Sequence, residues 1–298
     1  MILVTGGSGF LGKLVCDNLH KTGHAVINAS ISIQKETLYP SLKVDIADAE
    51  SLETLFKSFP VKTVIHLAAM LHTESWKKPS EAYLVNVQGS RNLLELSRKY
   101  GVGRFVFGST VDALGFHPVE EGPVDENAQI LPTDFYGETK RFVEKLGLAY
   151  RQIYGLELII DRIPFIVGPG IATPTSAWRM DIFNLLVSGG AIDFGFIPEA
   201  PIPVAHVLDS ALETIILATA ETVPHDIYHL PNESIKISDL AQFVKQLCNK
   251  ITIKYGSKKP NFYPTSVDAS RFNQDFHFEH TSLFTRLEQH KKFLENQE

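Results

Sequence analysis

A doubly wound parallel α/β sheet with a smaller C-terminal lobe is the fold class the chain predicts, on three observations. The first twelve residues read as an apolar strand, a glycine turn and an amphipathic helix. Strand-like and helix-like runs then alternate through the first half of the chain, the pattern of a parallel sheet with crossover helices. The strand candidates are short continuous apolar runs, as in strands buried on both faces.

Ile2, Leu3 and Val4 make the first strand; Gly6, Gly9 and Gly12 stand three apart in the turn; Leu11, Leu14, Val15 and Leu19 form the helix stripe. Glycines let the backbone approach a pyrophosphate, and the helix N-terminus offers free N–H groups and the positive dipole end. In this strand–turn–helix context the spacing reads as a dinucleotide site. Gly23 stops the helix, and residues 24–27 read as the second strand. Residues 30–39 read as a loop and residues 44–46 as a third strand. Leu52, Leu55, Phe56 and Phe59 mark a helix starting at Asp48, and residues 63–68 a fourth strand. Pro79 opens a long helix through Asn86, Leu94 and Ser97. Residues 104–109 supply the fifth strand. A loop rich in Gly, Pro and acids leads to Thr133 or Asp134, which caps a helix with the stripe Phe142, Leu146, Ala149, Tyr150 and Ile153. Residues 156–160 read as the sixth strand.

Beyond Pro169 the rhythm changes. One short helix is expected near residues 180–186, a sheet-packing helix over 207–220 and a last strand over 226–230. A helix with Leu240, Phe243, Val244 and Leu247, a strand over 251–255 and an aromatic tail follow. The division expected is a dinucleotide-binding domain over 1–168, with 204–230 returning to it. Residues 169–203 and 231–298 then form a substrate lobe over the carboxyl ends of the strands.

At 298 residues the chain has ample length for a large core, and its net charge of −6 offers no basic field for nucleic acid or an anionic membrane. Cys16 and Cys248, outside any CxxC pair, read as reduced buried thiols. No apolar run approaches the ~20 residues of a membrane span, and a strand beginning at Ile2 leaves no place for a leader, so the cytoplasm is the expected address. His72, His117 and His206 lack metal-ligand spacing, and no metal is expected.

Tyr136 and Lys140, at i and i+4, share one helix face. An ammonium beside a phenol favours the phenolate, which equips Tyr136 as a general base. Ser109 and Thr110 end the fifth strand with hydroxyls fit to hold a reacting oxygen. Hydroxyl, phenol and ammonium around one carbon–oxygen bond form a proton-transfer set for hydride chemistry with a nicotinamide.

TGGSGFLG, HLAA at 66–69, NVQGSRNLLE from Asn86, GST at 108–110 and YGETK resemble the extended short-chain dehydrogenases/reductases, the NAD-dependent epimerase/dehydratase family. RIPFIVGPG with Arg162 and Pro164, HVLDSA at 206–211 and a late SVDASR fit as well. The resemblance implies a Rossmann-like sheet, with Tyr136 as acid or base and Lys140 tuning it and holding a ribose. It also places Thr110, with Ser109 beside it, at the hydroxyl-donor position. It puts Phe10 and Leu11 with the glycines at the cofactor, Asp45 and Ile46 near its adenine, Leu67, Ala68 and Ala69 along it, and Asn86 and Pro164 in support.

Several positions depart from the family pattern. Ser30, followed by Ile31, stands where the family's acidic ribose ligand does, so the cofactor reads as NAD or NADP; Lys35 lies in the loop beyond. Phe165 and the pair Ile202-Pro203 replace the Asn and Arg that hold a substrate diphosphate in the nucleotide-sugar epimerases. Val111 and Asp112 stand for the dehydratases' Asp-Glu pair, and Leu114 for a tyrosine. Substrate recognition falls to Thr110, Asp112, Phe165 and the 172–181 insert, whose Trp178 and Arg179 suit a carboxylate or phosphate. The function expected is an NAD(P)-dependent oxidoreductase acting on a secondary alcohol or ketone of a sugar, sugar acid or polyol. The alternatives are a nucleotide-sugar epimerase with tightly held NAD and a non-catalytic NADP-binding redox sensor. By family analogy a homodimer is expected, packed through the helices of Tyr136 and Asn86, with Val143 and Leu148 as candidates for the seam.

Overall fold

The computed structural model describes residues 1–33, 37–118, 121–170 and 177–297. The strands are β1 (Ile2–Thr5), β2 (Val26–Ser30), β3 (Ser41–Lys43), β4 (Thr63–His66), β5 (Arg104–Thr110), β6 (Glu157–Ile163), β7 (Phe165–Val167), β8 (Gly190–Asp193), β9 (Pro201–His206), β10 (Ile227–His229), β11 (Glu233–Lys236) and β12 (Ile251–Lys254). The helices are α1 (Phe10–Lys21), α2 (Ala49–Ser58), α3 (His72–Lys77), α4 (Pro79–Ala82), α5 (Ser90–Lys99), α6 (Phe135–Tyr154), α7 (Trp178–Asn184), α8 (Val207–Thr219), α9 (Ile237–Leu247), α10 (Ser270–Phe276) and α11 (Leu283–Glu295).

Seven strands form one parallel sheet in the order β10-β6-β5-β4-β1-β2-β3. Chain order reverses between β1 and β4, and the crevice of such sheets opens at that switch point. Leu3, Ile27, Val64, Phe105 and Leu158 pack under α2, α5 and α6 on one face. Val4, Ile65, Val106 and Ile159 pack under α1 and α8 on the other. Both sets are fully or almost fully buried, which is why these strands are continuous apolar runs rather than alternating ones.

A third core gathers the later elements. Phe165, Trp178, Phe183, Phe194, Ile202, Ile237, Leu240 and Tyr263 pack together around two small sheets, β11-β9-β7 and β12-β8. The sequence reading had no strand at β7, β8, β9 or β11. They have three to six residues each, and β8 and β9 also carry Gly or Pro, so periodicity had too little length to register. The third strand also lies earlier than expected, at Ser41–Lys43. Residues 44–46 instead lead into α2, which Asp48 caps by accepting from the Glu50 and Ser51 amides.

The long helix opened by Pro79 is interrupted by a π-helical stretch, Tyr83–Gly89, between α4 and α5. Such a stretch displaces a side chain from the regular helical stripe, and here it carries Asn86. No helix among the described residues is long and apolar enough to cross a membrane. No metal-binding cluster of His, Cys, Asp or Glu occurs among them.

Candidate active site

The glycine turn lies at the switch point. Gly6 has φ +74°, and a Cβ there would stand 2.7 Å from the Ala68 amide nitrogen at the end of β4. A Cβ on Gly12 would stand 2.2 Å from the Gly6 carbonyl oxygen, so only glycine lets α1 sit this close under the turn. Gly9 caps α1 without a side-chain bond, and no acidic residue occupies its first turn. The helix end is therefore left to an anion. Phe10 closes the far side against Gly170, where a Cβ would lie 3.1 Å from its ring. Leu11 is buried beneath. Gly12→Ala is expected to abolish detectable NADH binding by fluorescence titration; an affinity within threefold of the parent would contradict this account of the turn.

Beside the turn, Ser30 is tied into a neutral network. Its hydroxyl donates to Asn28 Oδ1 at 2.8 Å and accepts from the Ser8 amide at 3.1 Å. The Asn28 amide donates to Ser8 Oγ and Ser41 Oγ. In register with Ser30 on β3 stands Lys43. Lys35 lies outside the described residues. The Asp45 carboxylate accepts from the Ala47 amide, and Ile46 is buried where it meets Gly89. Leu67, Ala68 and Ala69 continue β4, the Leu67 and Ala68 amides donating to Thr5 O and Thr5 Oγ1.

Two buried clasps hold this β4 segment. The Asn86 side chain accepts from the Met70 amide at 2.8 Å and donates to Met70 O and Thr139 Oγ1, joining the segment to α6. His66 is the second. Ser90 Oγ donates to Asn86 O at 2.5 Å, so it accepts from His66 Nε2–H at 2.8 Å. Nδ1 then accepts from the Thr5 hydroxyl at 2.7 Å. Burial, with the charge of Lys140, pushes His66 down to about 3 and keeps it neutral. Nothing in the sequence separated His66 from an ordinary strand residue; its partners are 24 and 61 positions away.

Asp134 caps α6 by accepting from the Gly137 amide at 3.0 Å, which sets Tyr136 and Lys140 in the first two turns, both buried. The Lys140 ammonium donates to Gly108 O at 2.7 Å and lies 4.9 Å above the Phe107 ring. Burial lowers it to about 8, with Glu144 opposing. The expectation that Lys140 depresses the Tyr136 phenol is corrected. Burial raises that phenol, Asp112 and Asp134 raise it further, and the cation that lowers it is Arg179. Lys140 stands 5.9 Å from the centre of the Tyr136 ring.

Thr110 ends β5, its hydroxyl accepting from the Asp112 amide at 3.2 Å. Ser109 is engaged elsewhere, and this corrects its expected role. Its hydroxyl donates to Glu144 Oε1 at 2.5 Å, in a buried network where Glu144 also pairs with Arg162 at 2.8 Å. The His229 Nε2 accepts from Arg162, and its Nδ1–H donates to Asp268 O. Pro164 is buried between β6 and β7.

Arg179 lies half-buried over the Phe165 ring at 4.8 Å, with Phe165 edge-on to Tyr263. Trp178 is buried against Phe194, and of that pair Arg179 is the one whose charge acts on the phenol. The rest of the insert, residues 172–176, lies outside the described residues. Burial pushes Asp112 up to about 7, with Asp134 adding to the rise and Arg179 opposing it. Leu114, Phe165 and Ile202 are all buried in the lobe core.

The profile of the NAD dependent epimerase/dehydratase family matches residues 2–187. The UDP-glucose 4-epimerase of Halalkalibacterium halodurans is 37% identical over 175 residues, covering 54% of this chain and 49% of the relative. The chain thus spans about half the length of that relative. The mitochondrial L-threonine 3-dehydrogenase of Bos taurus is 26% identical over 94% of this chain and 78% of its own. Among solved structures, the L-threonine dehydrogenase of Cupriavidus necator superimposes with a TM-score of 0.87 at 22% identity, over 97% of this chain and 98% of the other. The UDP-glucose 4-epimerase of Thermotoga maritima does so with 0.86 at 24%, over 99% of both. At these identities the two structures speak for the fold. The family profile covers the glycine turn, the β4 segment, Tyr136 and Lys140 in one match: this chain belongs to the NAD dependent epimerase/dehydratase family.

Proposed function

We propose that the chain is an NAD-dependent oxidoreductase that interconverts a secondary alcohol and a ketone on a small substrate bearing a carboxylate. The observation that carries this reading is Arg179, whose guanidinium lies 4.8 Å over the Phe165 ring and whose charge acts on the buried Tyr136 phenol. The glycine cradle fits a dinucleotide, since a Cβ at Gly6 or Gly12 would fill it. The Ser8–Asn28–Ser30 hydroxyls and amide suit a ribose diol, and the family's name gives NAD. That cofactor supplies hydride transfer when bound.

The chain's own groups do the rest. Thr110 orients the reacting oxygen, Tyr136 exchanges its proton, and Lys140 holds a ribose. Arg179 takes the carboxylate. Arg179→Ala is expected to raise KM for a carboxylate substrate about 10–100-fold, the worth of a charge-assisted hydrogen bond, with kcat changed far less. Steady-state kinetics on the acid and its neutral amide checks this. The enabling experiment is an oxidation and reduction screen with NAD and NADP over sugar acids, polyols and hydroxy acids.

The second reading, a nucleotide-sugar epimerase, is favoured by the 37% identity to a UDP-glucose 4-epimerase. Against it, Phe165 and Ile202 are buried apolar residues where a diphosphate needs charge or hydrogen bonds. Saturable UDP-sugar binding with NAD retained through dialysis would reverse the preference.

The proposal includes a cytoplasmic homodimer. Its support is Tyr83, Leu84 and Phe142, each about half exposed on adjoining helices. Val143 belongs to the core instead, and Leu148 packs against it. Light scattering at twice the mass of the chain is the expected result.

A further inference from the structure

The helix α11 joins the two halves of the molecule. Leu283 and Leu287 are buried in the lobe core with Trp178 and Phe183 of α7. The Phe284 ring lies 4.4 Å from Phe243 of α9, and the His290 ring 5.6 Å from Phe183. These apolar contacts stay within the lobe. The polar ones reach across to α8, which packs on α1 in the nucleotide-binding half. Arg286 pairs with both carboxylate oxygens of Asp209 on α8. Just before α11, His280 stands between two carboxylates. Its Nε2 lies 3.4 Å from Glu233 Oε1 on β11, and its Nδ1 lies 3.9 Å from Glu213 Oε1 on α8. Glu233 Oε1 also accepts from the Leu283 amide at the start of α11. Glu213 is 0% exposed, and neither of its oxygens has a hydrogen-bond donor among the described residues. The enclosed His280 Nδ1 has no hydrogen-bond partner among them either. Buried polar groups are almost always satisfied in folded proteins, so the charge of His280 is what compensates this carboxylate.

The other titratable groups around this spot are Asp209 on α8, Arg286 and His290 on α11, and His206 at the end of β9. Arg286 is engaged by Asp209. Burial, with Arg286 adding to it, pushes His206 down to about 3, and its Nδ1 accepts from the Leu208 amide. Burial lowers His290 as well. Neither histidine can stand in for the His280 charge. We propose that His280 is a proton-controlled bolt: protonated, it fastens α11 and the α7 wall against it to α8, and on losing its proton it strands the Glu213 charge in the core, so that α11 loosens and admits water. A buried ion stripped of its partner is costly, and histidine is the side chain suited to such a switch. Burial opposes the His280 charge, but Glu213 and Glu233 outweigh it and raise it to about 9. The charge therefore persists to higher pH in the folded chain than in the unfolded one. The bolt is fully closed below about 6.5 and is lost as pH rises through about 9. Glu213, pushed up to about 7 by burial against the pull of His280, adds a loss in the same direction at lower pH. Since α7 opens with Trp178 and Arg179, the loosening reaches the side of the candidate site that carries Arg179.

Trp178 supplies the readout. The chain has two tryptophans, and Trp178 is 5% exposed where Trp76 is 72% exposed. Trp76→Phe therefore leaves one buried reporter, whose quenching by acrylamide measures access to the α7 core. In this background the quenching constant is expected to be at least about twofold higher at about pH 10 than at about pH 7.5. His280→Gln is expected to show the higher value already at the lower pH. Glu213→Gln, which leaves no charge to strand, is expected to keep the lower value at both. The double variant His280→Gln with Glu213→Gln is expected to recover that lower value, which tells the bolt apart from general damage to the fold. Neither substrate nor cofactor enters the measurement, so its outcome stands apart from the oxidoreductase reading. Equal quenching at the two pH values, a His280→Gln protein still closed at the lower pH, a rise that persists in Glu213→Gln, or a double variant as open as His280→Gln overturns the proposal.

Discussion

Tyr136→Phe is expected to lower kcat by about 10²–10⁴-fold, the usual worth of a positioned proton-transfer group, with cofactor affinity within threefold of the parent. The variant removes one oxygen from a ring that is 7% exposed and already packed, so the fold and the glycine turn keep their geometry. The pH profile of the parent gives an independent reading. Burial and two carboxylates hold the phenol above its ordinary value, so at neutral pH Tyr136 carries its proton. That form donates in ketone reduction and must be lost before alcohol oxidation. Oxidation is therefore expected to rise up to tenfold per pH unit. Above about pH 8, where Lys140 loses its charge, its hold on the ribose weakens and the rise becomes shallower. Reduction shows no such rise. Parent-like turnover by Tyr136→Phe, or oxidation independent of pH, would remove Tyr136 from the proposed role.

The sheet was legible because its strands are apolar on both faces and alternate with striped helices; the order of elements through α6 follows from that, except for the short α3, which carries no stripe, and the earlier position of β3. The glycine spacing was legible for a steric reason that the 2.2 Å approach at Gly12 makes plain. What periodicity missed were the short pieces of the lobe and the π-helical stretch around Asn86, which conserves an apolar stripe while shifting its phase. Site residues divide in the same way. Tyr136 and Lys140 announce themselves by i, i+4 spacing, but spacing gives no burial, and burial raises the phenol that the lysine was expected to lower. Ser109 and Thr110 are neighbours in a strand, so their side chains leave opposite faces. Thr110 ends at the turn that carries Asp112, and Ser109 turns inward to Glu144. Only the partner 35 residues away tells them apart.

That inward network carries the other large effect. Glu144 and Arg162 are 1% and 0% exposed and pair at 2.8 and 3.1 Å. Glu144→Ala strands a buried guanidinium, and the expected loss is about 3–5 kcal/mol of unfolding free energy, read from the urea midpoint. His229 cannot take over the charge. Burial and Arg162 itself push it down to about 3, so it stays neutral and only accepts from the guanidinium. The double variant Glu144→Leu with Arg162→Met removes both charges and is expected to regain most of the loss, because isolated burial of one ion is costlier than burial of none. A single variant that loses less than about 1 kcal/mol would contradict this view of the pair. Glu144 also stands one turn beyond Lys140 and is the group that favours its charged form. Glu144→Gln, which keeps the packing, should therefore move the break near pH 8 in the oxidation profile to lower pH, since the lysine then loses its proton more readily. A fall in stability with the break unmoved would assign Glu144 to the fold alone. Both changing together would mean that the buried carboxylate serves the fold and also sets the pH range over which Lys140 keeps its charge.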